Sequence, residues 1–132
     1  MAEEIKKEIQ ALIVEDDPDQ VMLYSTKFLI EGVLTAATDN EFDTMQYLLG
    51  GGFDIVLLDI LLKSENGMDI LRNIKQNERT NHIPVVMFTN YTKKEIQDQA
   101  KALGAVDFII KSDMTPKQVA ERVKTIVMKN RG

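Results

Sequence analysis

Cysteine and tryptophan are absent from the chain, and histidine occurs once, as His82. Without cysteine there is no disulfide, no thiolate nucleophile and no thiolate metal ligand, and a single histidine does not make a zinc site. No apolar run approaches the roughly 18 residues of a membrane-spanning helix, and residues 1–7 lack the apolar core of a signal peptide. We therefore expect a protein of the cytoplasm with no membrane insertion.

Basic residues are also in the minority, because 16 Lys and Arg stand against 21 Asp and Glu, a net charge of -5. Binding to nucleic acid requires a basic face that neutralises phosphates, so we expect no direct nucleic-acid partner. The 132 residues, 44% hydrophobic and 28% charged, are typical of one globular domain. We predict a single domain over residues 1–132.

One short apolar run organises the rest of the chain. Ile55 to Leu58 follow a glycine cluster and are too few and too uniformly apolar for an amphipathic helix, which predicts a strand buried on both faces. Asp59 comes directly after this strand. Ligands of open parallel sheets bind at the carboxyl ends of the strands, so Asp59 is the first candidate for a functional residue.

Strands and helices alternate along the whole chain, and this alternation predicts a parallel α/β sheet. The predicted strands cover residues 11–14, 33–37, 55–58, 85–88 and 106–110. A helix begins at Pro18, after Asp17 as its cap, and the pair Thr38 and Glu41 has the spacing of a capping box for the next helix. That second helix is expected to bury Phe42, Met45 and Leu49.

The later helices have clearer boundaries. The third is predicted over 68–77 with Met68, Leu71 and Ile74 buried, and the fifth begins with a second capping box, Thr115 and Gln118. The fourth, at about 93–103, carries only a thin apolar stripe, so we expect it to be the least firmly anchored.

Polar side chains follow four of the predicted strands where each strand ends. They are Glu15 and Asp16, Asp59, Thr89, and Lys111. If the strands are adjacent, three carboxylates meet, and two unit charges at 4 Å repel by about 4 kcal/mol at an effective dielectric constant near 20. A divalent cation with oxygen ligands relieves this repulsion, and Mg²⁺ is the expected one because it needs only one or two carboxylates.

A carboxylate beside Mg²⁺, an ammonium group and a hydroxyl group is what an aspartyl-phosphate site requires. In addition, Gly67 lies eight residues beyond Asp59, Pro84 precedes the strand that ends in Thr89, and Phe108 lies three residues before Lys111. Taken together over essentially the whole chain, these positions resemble the receiver domain of two-component response regulators. The resemblance implies a flavodoxin-like (βα)₅ doubly wound fold with five parallel strands in the order 2-1-3-4-5.

The same resemblance implies a role for each site residue. Asp59 accepts a phosphoryl group from a histidine kinase or a phosphotransfer protein, and Lys111 contacts that group. Mg²⁺ is held by Glu15, Asp16, Asp59 and the backbone carbonyl of Leu61. Thr89 and Phe108 form the switch pair, which changes the surface of helix four, strand five and helix five for a downstream protein target.

The chain departs from the family pattern at two positions that are commonly proline. Lys63, after the Asp59 loop, and Ser112, directly after Lys111, stand at these two positions. In addition, Asn90 stands after Thr89, where the family usually has a small residue. A cis bond before a residue other than proline costs about 3 kcal/mol, so the isomer at Ser112 stays open. The chain is either a separate protein or one piece of a longer hybrid protein.

Three other functions compete with a phosphorylation switch. A magnesium-dependent phosphatase or phosphotransferase of the haloacid-dehalogenase type has a second Asp two residues after its nucleophile, where this chain has Leu61, so we expect no enzyme acting on outside substrates. An adaptor that never uses phosphate requires an incomplete pocket. A flavodoxin requires a phosphate-binding loop after strand one, where acids stand instead.

Overall fold

The computed structural model describes residues 8–132, in which strands and helices alternate. The strands are β1 (Ile9–Val14), β2 (Val33–Thr38), β3 (Ile55–Leu58), β4 (Val85–Thr89) and β5 (Asp107–Ile110). The helices are α1 (Pro18–Ile30), α2 (Glu41–Gly50), α3 (Gly67–Gln76), α4 (Lys94–Ala102) and α5 (Pro116–Arg131), with a 3-10 turn at Lys111–Asp113. The predictions about a signal peptide and about the start of the domain concern residues 1–7, which lie outside the described residues.

The five strands form one parallel sheet in the order β2-β1-β3-β4-β5, which confirms the predicted flavodoxin-like fold. Val14 is paired with Leu58, so the chain leaves β1 and β3 side by side at Glu15 and Asp59. Lys111 follows directly after Ile110, the partner of the last residue of β4. The register therefore delivers the predicted side chains to one edge of the sheet.

Two apolar layers cover the two faces of the sheet. The α1/α5 core is built from inward residues of these helices, including Tyr24, Phe28, Val119, Val123 and Val127. The α2/α3/α4 core contains one buried apolar residue of α2, Leu48, and one of α4, Ala100. Helix α3 contributes four: Met68, Ile70, Leu71 and Ile74. Burial of each large apolar side chain contributes about 1.5 to 3 kcal/mol, and β3, between the layers, is buried on both sides.

The predicted start of α2 is wrong. Asn40 is the cap, with its side-chain oxygen accepting the amide of Asp43 at 2.8 Å, whereas Thr38 still belongs to β2. Two overlapping capping signals stood two residues apart, and asparagine is among the strongest N-caps. The helix consequently buries Thr44 and Leu48 and leaves Phe42 71% exposed, contrary to the predicted face.

The predicted positions of α3, α4 and α5 are confirmed. The Thr115 and Gln118 side chains form the reciprocal capping box of α5. Helix α4 has no side-chain bond at its cap, Lys93, and Ala100 is its only fully buried residue. No peptide bond among residues 8–132 is cis, so the Lys111–Ser112 bond is trans. In this described part, every helix is too short or too polar to cross a bilayer.

Candidate functional site

The turn after β1 carries three acids with different local partners. The Glu15 amide donates to the carbonyl of Thr38 at 2.9 Å, which ties the turn to the end of β2. A Glu15 carboxylate oxygen accepts the Asp17 amide at 3.0 Å. Asp17 is the N-cap of α1, as predicted, and accepts the amide of Asp19 at 2.9 Å. Glu15 thus faces inward, and Asp17 serves the helix.

Asp59 is fixed from both sides by backbone bonds. Its amide donates to the carbonyl of Val14 at 3.1 Å, and its Oδ1 accepts the amide of Leu61 at 3.3 Å. The first turn of α3 passes very close to it, because a Cβ on Gly67 would lie 2.0 Å from the Asp59 carbonyl oxygen. Only glycine permits this approach, and it sets the path of the loop that follows Asp59.

The Lys111 ammonium joins the site residues. It lies 3.0 Å from Asp59 Oδ2 and is also hydrogen-bonded to Glu15 Oε1, and the side chains of all three residues are nearly inaccessible to solvent. A third acceptor, Oε1 of Gln20, lies 2.5 Å from Nζ. The ammonium also stands 5.4 Å from the centre of the Phe88 ring, within the range of a cation–π contact.

The two predicted switch residues lie at different distances from this cluster. Thr89 is buried at the end of β4, where its hydroxyl oxygen accepts the amide of Tyr91 at 3.2 Å. Phe108 is partly buried on β5 and packs against the α2/α3/α4 core. Phe108 also lines a cavity of about 320 Å³ beside α4, together with Gln97 and Ala100.

Burial and ion pairing shift the pKa values of Asp59, Glu15 and Lys111. Burial by itself favours the neutral carboxyl of Asp59, but the charge of the Lys111 ammonium outweighs it and lowers the Asp59 pKa. For Glu15, burial prevails over the bond from Lys111, and its pKa is raised. Burial opposes the charge of Lys111, yet the two carboxylates raise the pKa of its ammonium. Lys111 therefore pairs with both carboxylates, of which Asp59 has a lowered pKa and Glu15 a raised one.

Asp16 faces the loop after β3 rather than Lys111. Its Oδ2 accepts the amide of Lys63 at 2.5 Å, four residues beyond Asp59. Proline has no amide hydrogen, so this bond exists only because the residue at 63 departs from the family pattern. The second departure makes a similar link, since the Ser112 amide donates to the Asn90 side chain at 2.9 Å.

The acidic residues fit a magnesium ion by charge and donor type. With all groups ionised, the carboxylates of Glu15 and Asp59 exceed the one ammonium by one negative charge, and the carboxylate of Asp16 lies at the neighbouring loop. Over residues 8–132, no three His, Cys, Asp or Glu side chains are close enough to enclose a metal by themselves. Mg²⁺ needs no such cage, because it retains water and binds phosphate oxygens.

The structure brings Glu15, Asp59, Thr89 and Lys111 together, whereas the side chain of Leu61 is exposed and only its backbone reaches the site. Sequence reasoning missed Gln20. A signal for it existed: Asp17 as cap and Pro18 as the first helical residue make Gln20 the third residue of α1, whose side chain turns back toward the start of the helix.

Comparison with known proteins defines the family. The model of the response regulator receiver domain matches residues 11–124. A probable cyclic di-GMP phosphodiesterase of Vibrio cholerae is 32% identical over 105 residues, which are 80% of this chain and 24% of that protein. The response regulator SaeR of Staphylococcus aureus is 30% identical over 116 residues, which are 88% of this chain and 49% of that protein.

A solved structure agrees with the fold. The crystal structure of a response regulator receiver domain protein (CheY-like) from Methanospirillum hungatei superposes with a TM-score of 0.85 at 20% identity, covering 95% of this chain and 98% of that one. The chain thus belongs to the response regulator receiver domain family of two-component signalling. It spans about a quarter and about half of the two curated relatives.

Proposed function

We propose that this protein is a phosphorylation switch in which Asp59 accepts a phosphoryl group from a histidine kinase or a phosphotransfer protein, in the cytoplasm. The observation that carries the proposal is the buried ion pair of Asp59 with Lys111 at 3.0 Å, beside Glu15. An ionised carboxylate is a nucleophile, and the low pKa of Asp59 keeps it ionised at neutral pH.

The transfer forms one bond and breaks one. An Asp59 carboxylate oxygen attacks the phosphorus of phosphohistidine, and the bond from phosphorus to the imidazole nitrogen breaks. The nitrogen keeps the electron pair and takes a proton from water. Lys111 stabilises negative charge on the transferring group, and the Thr89 hydroxyl donates to one of its oxygens.

We also propose that this pocket binds Mg²⁺. Glu15, Asp16, Asp59 and the backbone carbonyl of Leu61 would hold the ion, whose charge neutralises that of the transferring phosphoryl group. The excess of carboxylates over ammonium groups around Asp59, two against one, supports the assignment. Lys63 supports it as well, because its amide holds Asp16 beside the loop that carries Asp59.

Phosphorylation is proposed to change the surface formed by α4, β5 and α5, which a downstream protein target then reads. The new phosphoryl group brings roughly two negative charges next to Thr89. Helix α4 has one fully buried residue, Ala100, and a cavity of about 320 Å³ lies between this helix and Phe108. An element with few buried contacts has a small free-energy gap between two arrangements, which suits it to switching.

The protein then assists only its own phosphorylation and dephosphorylation, and is not an enzyme for outside substrates. The test is incubation with acetyl phosphate and Mg²⁺, followed by intact-mass measurement. We expect one phosphoryl group per chain, none after chelation of Mg²⁺ and none in Asp59→Asn. The matched control Asp69→Asn, an exposed site on α3, should be labelled like the wild type. Continuous release of phosphate at enzymatic rates, or no labelling at all, would contradict the proposal.

A further inference from the structure

Gln20 touches the centre of the site, although nothing so far gives it a function. It is the third residue of α1, and its side-chain oxygen lies 2.5 Å from the Lys111 ammonium nitrogen. The contact spans 91 residues of sequence, so it is made by the fold rather than by local chain geometry. It is partly buried, beside the nearly inaccessible pairs of Lys111 with Glu15 and Asp59.

The donors of Lys111 are all in use. An ammonium group has three N–H donors, and the structure gives them three acceptors: Glu15 Oε1, Gln20 Oε1 and Asp59 Oδ2. A phosphoryl oxygen that is to bind Lys111 must therefore take a donor from one of these acceptors. The bond to Gln20 is short, but it is the most easily exchanged of the three because its acceptor is neutral and only partly buried, whereas the other two acceptors are nearly inaccessible carboxylates.

The orientation of the Gln20 amide is set by Asp17. The amide nitrogen of Gln20 lies 3.5 Å from Asp17 Oδ2, so its N–H group faces an acceptor and its oxygen faces the donor Lys111. Asp17 itself is held by the Asp19 amide at the start of α1. The cap of the helix thus points the glutamine oxygen at the ammonium.

We infer that Gln20 is a positioning residue that occupies the phosphoryl-binding donor of Lys111 in the unphosphorylated protein and competes with the phosphoryl group for it. This inference rests on the proposed function. Gln20 holds the ammonium in place beside Asp59, and it is displaced when a phosphoryl oxygen arrives. Its strength as an acceptor consequently sets how favourable the phosphorylated state is.

Two substitutions change this acceptor in opposite directions. Gln20→Met preserves the length of the side chain and removes the acceptor, so one donor of Lys111 is free for the ligand. Gln20→Glu replaces a neutral acceptor by a charged one, which binds the ammonium more strongly and repels an anionic ligand. A purely structural role of Gln20 would not give effects of opposite sign.

The experiment measures the affinity of beryllofluoride, a noncovalent mimic of the phosphoryl group, by calorimetry at saturating Mg²⁺. We expect Gln20→Met to tighten binding by about fivefold and Gln20→Glu to weaken it by about fivefold or more. Gln46→Met, on the exposed side of α2, is the matched control and should leave the affinity unchanged. Thermal unfolding of each variant confirms that it is folded.

A second readout needs no ligand. In the unphosphorylated protein, Gln20→Met should speed the exchange of the Lys111 ammonium protons with water, measured by NMR. If the wild type binds beryllofluoride but both variants shift the affinity in the same direction, or neither shifts it, the inference about Gln20 is wrong and the proposed function stands. If the wild type does not bind, both are wrong.

Discussion

Glu15 and Asp59 share one ammonium partner, yet the fold shifts their pKa values in opposite directions. The Asp59 pKa lies below its ordinary value of 3.8, so the stability that its charge contributes is present above that value and is lost as the pH falls through the folded pKa. The Glu15 pKa lies above 4.5, so the folded state binds this proton more tightly than the unfolded state. The corresponding stability is present below pH 4.5 and is lost as the pH rises through the folded pKa.

Replacing the Glu15 carboxylate should therefore stabilise the metal-free protein at neutral pH. We expect Glu15→Gln to raise the free energy of unfolding at pH 7 by about 1 kcal/mol, because a buried charge is removed while an acceptor for Lys111 remains. The gain should shrink toward pH 4, where the wild-type carboxyl is protonated. Urea unfolding at the two pH values without Mg²⁺ measures both effects.

The control for this substitution is Glu121→Gln, on the exposed side of α5, which should show no such pH-dependent gain. A loss of stability at pH 7 that exceeds the loss at pH 4 would contradict the account of Glu15. With Mg²⁺ added, we expect the wild type to become more stable than Glu15→Gln. Binding of Mg²⁺ stabilises the wild type through the Glu15 carboxylate, which the variant lacks.

At the scale of residues, the sequence predicts side chains that directly follow strands and misses contacts that depend on the path of another side chain. Glu15, Asp59, Thr89 and Lys111 were found because parallel strands end at the same edge of a sheet. Gln20 and Phe88 were not, because their contacts with Lys111 depend on the path of Lys111's own side chain. No spacing in the sequence encodes that path.

The element that most constrains the site is the start of α3. Gly67 lies against the backbone of Asp59 and Ile60, with space for a hydrogen but not for a methyl group. The close approach fixes the loop of residues 60–66, which contains both the backbone of Leu61 and the amide of Lys63. The position of Asp59 is thus coupled to the packing of a helix.

A methyl group at this contact should displace the loop. We expect Gly67→Ala to lower the free energy of unfolding by about 2 kcal/mol, as overpacking does, and to slow labelling of Asp59 by acetyl phosphate. The matched control is Gly50→Ala on α2, where a Cβ meets nothing within 4 Å and the change should be neutral or stabilising by about 0.5 kcal/mol. Equal effects of the two substitutions would show that the contact at Gly67 is unimportant.

Element boundaries were predictable where one capping signal stood alone. Thr115, Pro116 and Gln118 gave the start of α5 correctly. At α2 the pair Thr38 and Glu41 was predicted to be the capping box, whereas Asn40 is the cap, and the predicted buried face was wrong as well. The loops at Lys63 and Ser112 were recognised as departures from the family, but their hydrogen bonds depend on three-dimensional proximity and had no sequence signal.

On the scale of the whole molecule, the sheet separates two apolar cores, one on each face. The strands are shared by both layers, since successive side chains of a strand point to opposite faces. Loss of packing in one core therefore disturbs the strands that support the other. This arrangement favours cooperative unfolding of the described chain as one unit.

Two core substitutions test whether the chain is one cooperative domain. Val123→Ala in the α1/α5 core should cost about 1 to 2 kcal/mol, and Leu71→Ala in the α2/α3/α4 core about 2 to 5 kcal/mol. Each should lower the urea midpoint by the same amount for NMR signals from both cores. Two separate transitions, with only the mutated side shifted, would contradict a single domain.

The central claim is that Asp59 carries the phosphoryl group, and its most direct test is chemical. Borohydride reduces an aspartyl phosphate to homoserine, so the protein is treated with acetyl phosphate and Mg²⁺, reduced, digested and sequenced by tandem mass spectrometry. The account predicts homoserine at position 59 and at no other position. Homoserine at Asp16 or Asp17, or a complete lack of it in a folded protein saturated with Mg²⁺, would contradict it.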